Sequence, residues 1–124
     1  MKFHFITPRL HGLLDYAAAI ALIVLPVLLD LGSTSAIALW LSIGGGVGLI
    51  GYSLLTDYPP GVGRAVDFRT HLVLDLAAAA AFFLAPFVFD WYGLTEAYYF
   101  VMGAGVLVVV AFSTPEPASL AEVG

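Results

Sequence analysis

Four apolar stretches, each long enough to cross a bilayer, dominate the chain: residues 8–29, 35–56, 68–89 and 95–113. At the α-helical rise a 22-residue stretch spans ~33 Å, against a hydrocarbon core of about 30 Å. Lipid offers backbone N–H and C=O groups no partner, so each stretch is predicted to be a transmembrane helix that satisfies them internally. Composition agrees, with 61% of the chain hydrophobic and 10% charged, where a soluble domain carries about 25% charge. The formal net charge of -5 does not mark an acidic soluble protein, because the charges gather at segment ends. With no cysteine, disulfides, thiolate metal sites, iron–sulfur clusters and thioether-linked haem are excluded, and a metal must be held by His, Asp or Glu. Four Lys and Arg in total are too few for a nucleic-acid module.

The chain reads as one all-α membrane domain with two-helix units at about 8–56 and 68–113, followed by a polar tail over 114–124 that lacks apolar periodicity. Thr7 before Pro8 is an N-cap signal, and Ser35, Asp67 and Thr95 are expected to cap the other helices. The cations set the orientation: Lys2 and Arg9 flank helix 1, Arg64 and Arg69 flank helix 3, and the opposite loops carry only Asp30, Asp90 and Glu96. By the positive-inside rule, both termini and the central loop face the cytoplasm. A signal peptide is the competing reading of the first segment, but its apolar region is too long for one and recurs as helix 3, so it is expected to be retained.

An ungapped slide of sixty residues superposes Arg9 on Arg69, His11 on His71, Leu14 on Leu74, Asp15 on Asp75 and Pro26 on Pro86. The same slide pairs Asp30 with Asp90, Ser35 with Thr95, Gly45 with Gly105 and Ser53 with Ser113. Since each unit has two spans, both copies enter from the same side, and a pseudo-twofold axis along the membrane normal is expected. Helix association in lipid depends on close packing and polar contacts. Gly44 and Gly48 give helix 2 a G-x-x-x-G spacing, with Gly45, Gly46 and Gly51 adding flat surface, while helix 4 has Gly103 and Gly105. Pro26 and Pro86, near the helix ends, are expected to splay those ends. Tyr16, Tyr52, Tyr58, Trp91, Tyr92, Tyr98 and Tyr99 are expected to form mostly interfacial belts. His4 has no counterpart in the second unit, and the Pro/Gly-rich central segment containing Tyr58 and Arg64 reads as a connection.

His and Asp lie four apart in each unit, so His11 shares a helix face with Asp15 and His71 with Asp75. An unpaired carboxylate at the hydrocarbon boundary is costly. A reciprocal set, Arg9 with Asp75 and Arg69 with Asp15, bridged or capped by the histidines, is therefore expected. Three readings of these six residues stay open. The first is a polar network that docks the hairpins. The second is a ligand site, either a divalent metal held by His11, His71, Asp15 and Asp75 or a b-type haem on the two histidines. The third is a proton path, for which nothing comparable continues down the helices.

The residues Arg9-Leu10-His11-Gly12-Leu13-Leu14-Asp15, Ser53-Leu54-Leu55-Thr56-Asp57-Tyr58 and Arg69-Thr70-His71-Leu72-Val73-Leu74-Asp75 resemble the SPW-repeat family of small bacterial integral membrane proteins. The resemblance covers nearly the whole chain and implies duplicated two-helix units in a bacterial inner membrane, with no defined catalytic activity. In place of Ser-Pro-Trp the units read Leu25-Pro26-Val27 and Ala85-Pro86-Phe87. The function expected is a non-enzymatic scaffold or accessory subunit that meets lipid and packs with its own copies or a larger membrane complex, with no cofactor. The alternative is a cofactor or metal binder.

Overall fold

A computed structural model describes residues 5–56 and 66–113; Lys2, His4, Tyr58, Arg64 and the tail over 114–124 lie outside the described residues. Among the described residues there are four helices, α1 (Pro8–Leu28), α2 (Ala36–Leu54), α3 (Phe68–Val88) and α4 (Gly93–Ala111), with a short 3-10 turn at Leu31–Ser33. All four are long and apolar enough to cross a membrane. Three begin at the expected caps: Thr7, Ser35 and Asp67 each accept a hydrogen bond from the backbone N–H three residues on. This satisfies one of the four N–H groups left open at each helix start.

The fourth helix corrects the ungapped slide. Helix α3 follows α1 by sixty residues (8 to 68), but α4 follows α2 by 57 (36 to 93). Its N-cap is Tyr92, which makes no side-chain cap bond, and Thr95 lies buried inside the helix. The difference arises in the turns. Asp30 and Asp90 both adopt left-handed backbone, at φ 56° and 59°, and each is followed by a buried side chain, Leu31 or Trp91. Only the first turn then spends residues on a 3-10 segment before its helix starts.

The revised offset accounts for the glycines. Gly46 and Gly103 are 57 apart, and a Cβ on either would meet the carbonyl oxygen of Ala19 or Ala79, at 2.7 and 3.3 Å respectively. At both positions the backbone of the partner helix comes close, and at Gly46 a side chain would clash with it outright. Gly44, Gly48 and Gly105, expected to serve helix packing, have nothing within 4 Å of such a Cβ, and Gly45 meets only the Phe82 ring. Gly44 and Gly48 project away from α1 because they lie about 160° around the helix from Gly46.

Several aromatics also depart from the belt expectation. Trp91, Tyr98 and Tyr99 are buried, whereas Tyr92 and Trp40 are exposed. Tyr99 donates to the Ala38 carbonyl of α2. Tyr98 reaches Ser42, whose hydroxyl donates to the Leu22 carbonyl at 2.8 Å; with that proton committed, the Tyr98 hydroxyl is the donor to Ser42. The chain of bonds starts at Pro26, which has no N–H to offer the carbonyl four residues earlier, so Ser42 replaces the missing helical donor.

Helix α1 packs chiefly on α2, and α3 on α4. Hydrogen bonds join the hairpins at two levels: the Tyr98 and Tyr99 contacts to α2 near the turns, and a buried His/Asp cluster at the opposite end. Between them all four helices line a cavity of about 530 Å³ that reaches from Phe82 and Gly103 to Tyr52, Asp15 and Asp75.

Candidate functional site

Each His/Asp pair sits in the first two turns of its hairpin's leading helix, positioned by Thr7 or Asp67 as cap. The four-residue spacing places both side chains on one face, and that face turns inward: His11 and His71 are 0% exposed, Asp15 6% and Asp75 2%. The helices bring the pairs together crosswise. His11 Nε2 lies 2.9 Å from Asp75 Oδ2, and His71 Nε2 lies 2.6 Å from Asp15 Oδ2. Within each helix the His–Asp separations are longer, 3.0 Å for His11–Asp15 and 3.3 Å for His71–Asp75. Nitrogen and oxygen alternate around this quartet, and its four atoms all lie within 4.8 Å of one another.

The expected partners of the carboxylates were guanidinium groups; the groups that cross between hairpins are imidazoles. Arg9 and Arg69 are both exposed. The physical reason is angular: a residue six positions before Asp lies about 240° around the helix from it, while one four positions before lies within about 40°.

Four residues outside the expected set complete the site, three by hydrogen bonds and one by ring packing. His11 Nδ1 meets Ser113 Oγ at 2.6 Å, and His71 Nδ1 meets Thr56 Oγ1 at 2.8 Å. Both hydroxyls already donate to the carbonyl four residues earlier, Ser113 to Val109 and Thr56 to Tyr52. A hydroxyl has one proton to give, so each accepts from the imidazole, and Nδ1 carries the hydrogen. In a neutral ring, the Nε2 lone pair then faces a carboxylate. Tyr52 donates to Asp75 Oδ1 and lays its ring against His71, with centroids 4.7 Å apart. Phe68, fully buried, closes over His11 edge-on at 5.2 Å.

Thr56 and Ser113 are 57 apart, the offset of the second helices, so the slide that paired Ser53 with Ser113 hides this correspondence. The backbone follows the same crossed pattern. Ile6 N–H donates to the Phe112 carbonyl and Val66 N–H to the Leu55 carbonyl, in two isolated parallel bridges. The segment leading into each hairpin thus pairs with the end of the other.

The site offers two imidazole nitrogens and two carboxylate oxygens to a small ion. It does not fit a haem: both carboxylates lie within 3.3 Å of the two Nε2 atoms and fill the space between the imidazoles, where a porphyrin plane would lie. No protein family profile, curated protein or solved structure matches the chain.

Proposed function

We propose that this chain is a non-enzymatic integral membrane scaffold or accessory subunit whose two hairpins, copies of one ancestral unit, are docked by the His/Asp quartet. The observation that carries this reading is reciprocity. Each imidazole is satisfied by a carboxylate and a hydroxyl of the other hairpin, as expected of two copies related by a pseudo-twofold axis along the membrane normal. Removing either partner leaves a buried polar group without its match, so the network favours one docking geometry over all others.

The same proposal places both termini on the cytoplasmic side of a bacterial inner membrane, following Lys2, Arg9, Arg64 and Arg69, and keeps the SPW-repeat resemblance as the family assignment. Gly44 and Gly51, exposed on α2 with nothing within 4 Å of a Cβ placed there, supply a flat strip for a helix of a second copy or of a larger complex. The test is chemical cross-linking in native membranes. A ladder of higher species or a constant partner is expected, weakened by Gly44→Leu; recovery of isolated monomer alone would overturn the scaffold reading.

A further inference from the structure

We propose that His11, Asp15, His71 and Asp75 bind one divalent first-row transition-metal ion of the zinc type, in place of the protons that otherwise join the quartet. This goes beyond docking, which needs only that something positive lies between the four atoms.

The argument begins with the hydroxyls. Because Thr56 and Ser113 give their protons to backbone carbonyls, both imidazoles keep their hydrogen on Nδ1, and both Nε2 lone pairs turn to a common centre. The carboxylate oxygens turn there too, within 4.8 Å. Four lone-pair atoms at such separations repel one another unless protons or a cation lie between them. A metal-binding His whose other ring nitrogen donates to a fixed acceptor is the arrangement that orients ligands in established metal sites. Here it occurs twice, and the Tyr52 hydroxyl similarly holds the outer oxygen of Asp75.

Ligand chemistry selects the ion. Two imidazoles with two carboxylates suit zinc-like metals; calcium and magnesium prefer all-oxygen shells, and the absence of thiolates removes the soft copper(I) choice. Two carboxylates also neutralise a divalent charge, so the loaded centre is neutral and its burial is affordable. In size, a tetrahedral ion with ligands at about 2.0–2.1 Å has ligand–ligand edges of about 3.3 Å. The four nitrogen–oxygen edges run from 2.6 to 3.3 Å, and no pair of ligand atoms is more than 4.8 Å apart. Loading therefore opens the short nitrogen–oxygen edges by up to about 0.7 Å and draws any longer nitrogen–nitrogen or oxygen–oxygen separation in toward the same edge length.

The experiment uses the full chain in detergent, stripped with a chelator and titrated with Co²⁺. One ion per chain is expected, with visible ligand-field bands of tetrahedral intensity, release of roughly two protons per ion, and displacement by Zn²⁺. His71→Ala and Asp75→Asn should each lower Co²⁺ affinity at least about 100-fold, and Ser113→Ala by about 10- to 100-fold, as losses of outer-shell partners do. The decisive result comes from the unsubstituted chain, so it does not depend on the variants folding: no stoichiometric binding, or only octahedral cobalt, overturns the proposal. So does binding that persists in His71→Ala. Docking is read separately, from recovery of the two hairpins as a pair after chelation of a chain cleaved between α2 and α3, so either reading can fail alone.

Discussion

At the scale of single residues, Thr56 and Ser113 determine which face the two imidazoles offer to their surroundings. Thr56→Val or Ser113→Ala leaves a buried Nδ1–H without an acceptor, at a cost of about 1–3 kcal/mol each, to be measured by reversible unfolding in mixed detergent micelles. Because the hydroxyls serve different histidines through one quartet, the double variant should depart from the sum of the singles. Ser42→Ala should be similarly costly, since it strands the Leu22 carbonyl above Pro26 and the Tyr98 hydroxyl together. Outside the spans, Asp67 shows how a cap couples to pH. The Thr70 backbone N–H donates to its carboxylate and holds the group below the usual carboxylate range. The charged form is thus favoured in the folded chain. The contribution is complete above the unfolded value of about 3.9 and disappears as pH falls through the lower folded value. Acid titration of unfolding should show this component in the parent chain and lack it in Asp67→Asn, which keeps an oxygen acceptor without the charge.

At the scale of helices, the two glycines that matter are not those of the G-x-x-x-G spacing. Gly46→Val drives a side chain into the Ala19 carbonyl and the Leu22 and Ile23 side chains, and should destabilise the first hairpin by roughly 1–3 kcal/mol, as overpacking does. Gly44→Ala meets nothing, and should leave thermal unfolding of the monomer unchanged or raise it slightly, because alanine is the better helix former. Span number, three of the four caps and the inward His/Asp face were legible in the sequence, since hydropathy, Ser/Thr/Asp chemistry and a four-residue spacing are all local signals. The start of α4 was not: three residues absorbed by the Leu31–Ser33 turn shift its register, and chance matches such as Ser35 with Thr95 made the ungapped slide look continuous. Tyr98 and Tyr99 were misplaced because burial of an amphipathic ring depends on which helix lies opposite, a matter no single-helix pattern reveals. Thr56, Ser113 and Tyr52 escaped notice for the same reason, although the 57-residue offset would have aligned the first two.

At the scale of the whole molecule, polar contacts tie the hairpins at both ends, with the quartet at one level and the tyrosine contacts at the other. Cleaving the chain between α2 and α3 should therefore leave two fragments that co-purify when co-expressed. Replacing His71 by Ala should reduce their recovery as a pair, because it removes the partner of both Asp15 and Thr56. A break within the Asp30 turn separates α1 from its principal packing partner and should be tolerated less well, with loss of membrane-inserted product on a gel as the readout. The crossed bonding bears on the order of biosynthesis. His11 leaves the ribosome 102 positions ahead of one of its partners, Ser113. The newborn first hairpin enters the bilayer with its polar end incomplete and must be sheltered by water, headgroups or an insertion factor until the second hairpin has been made.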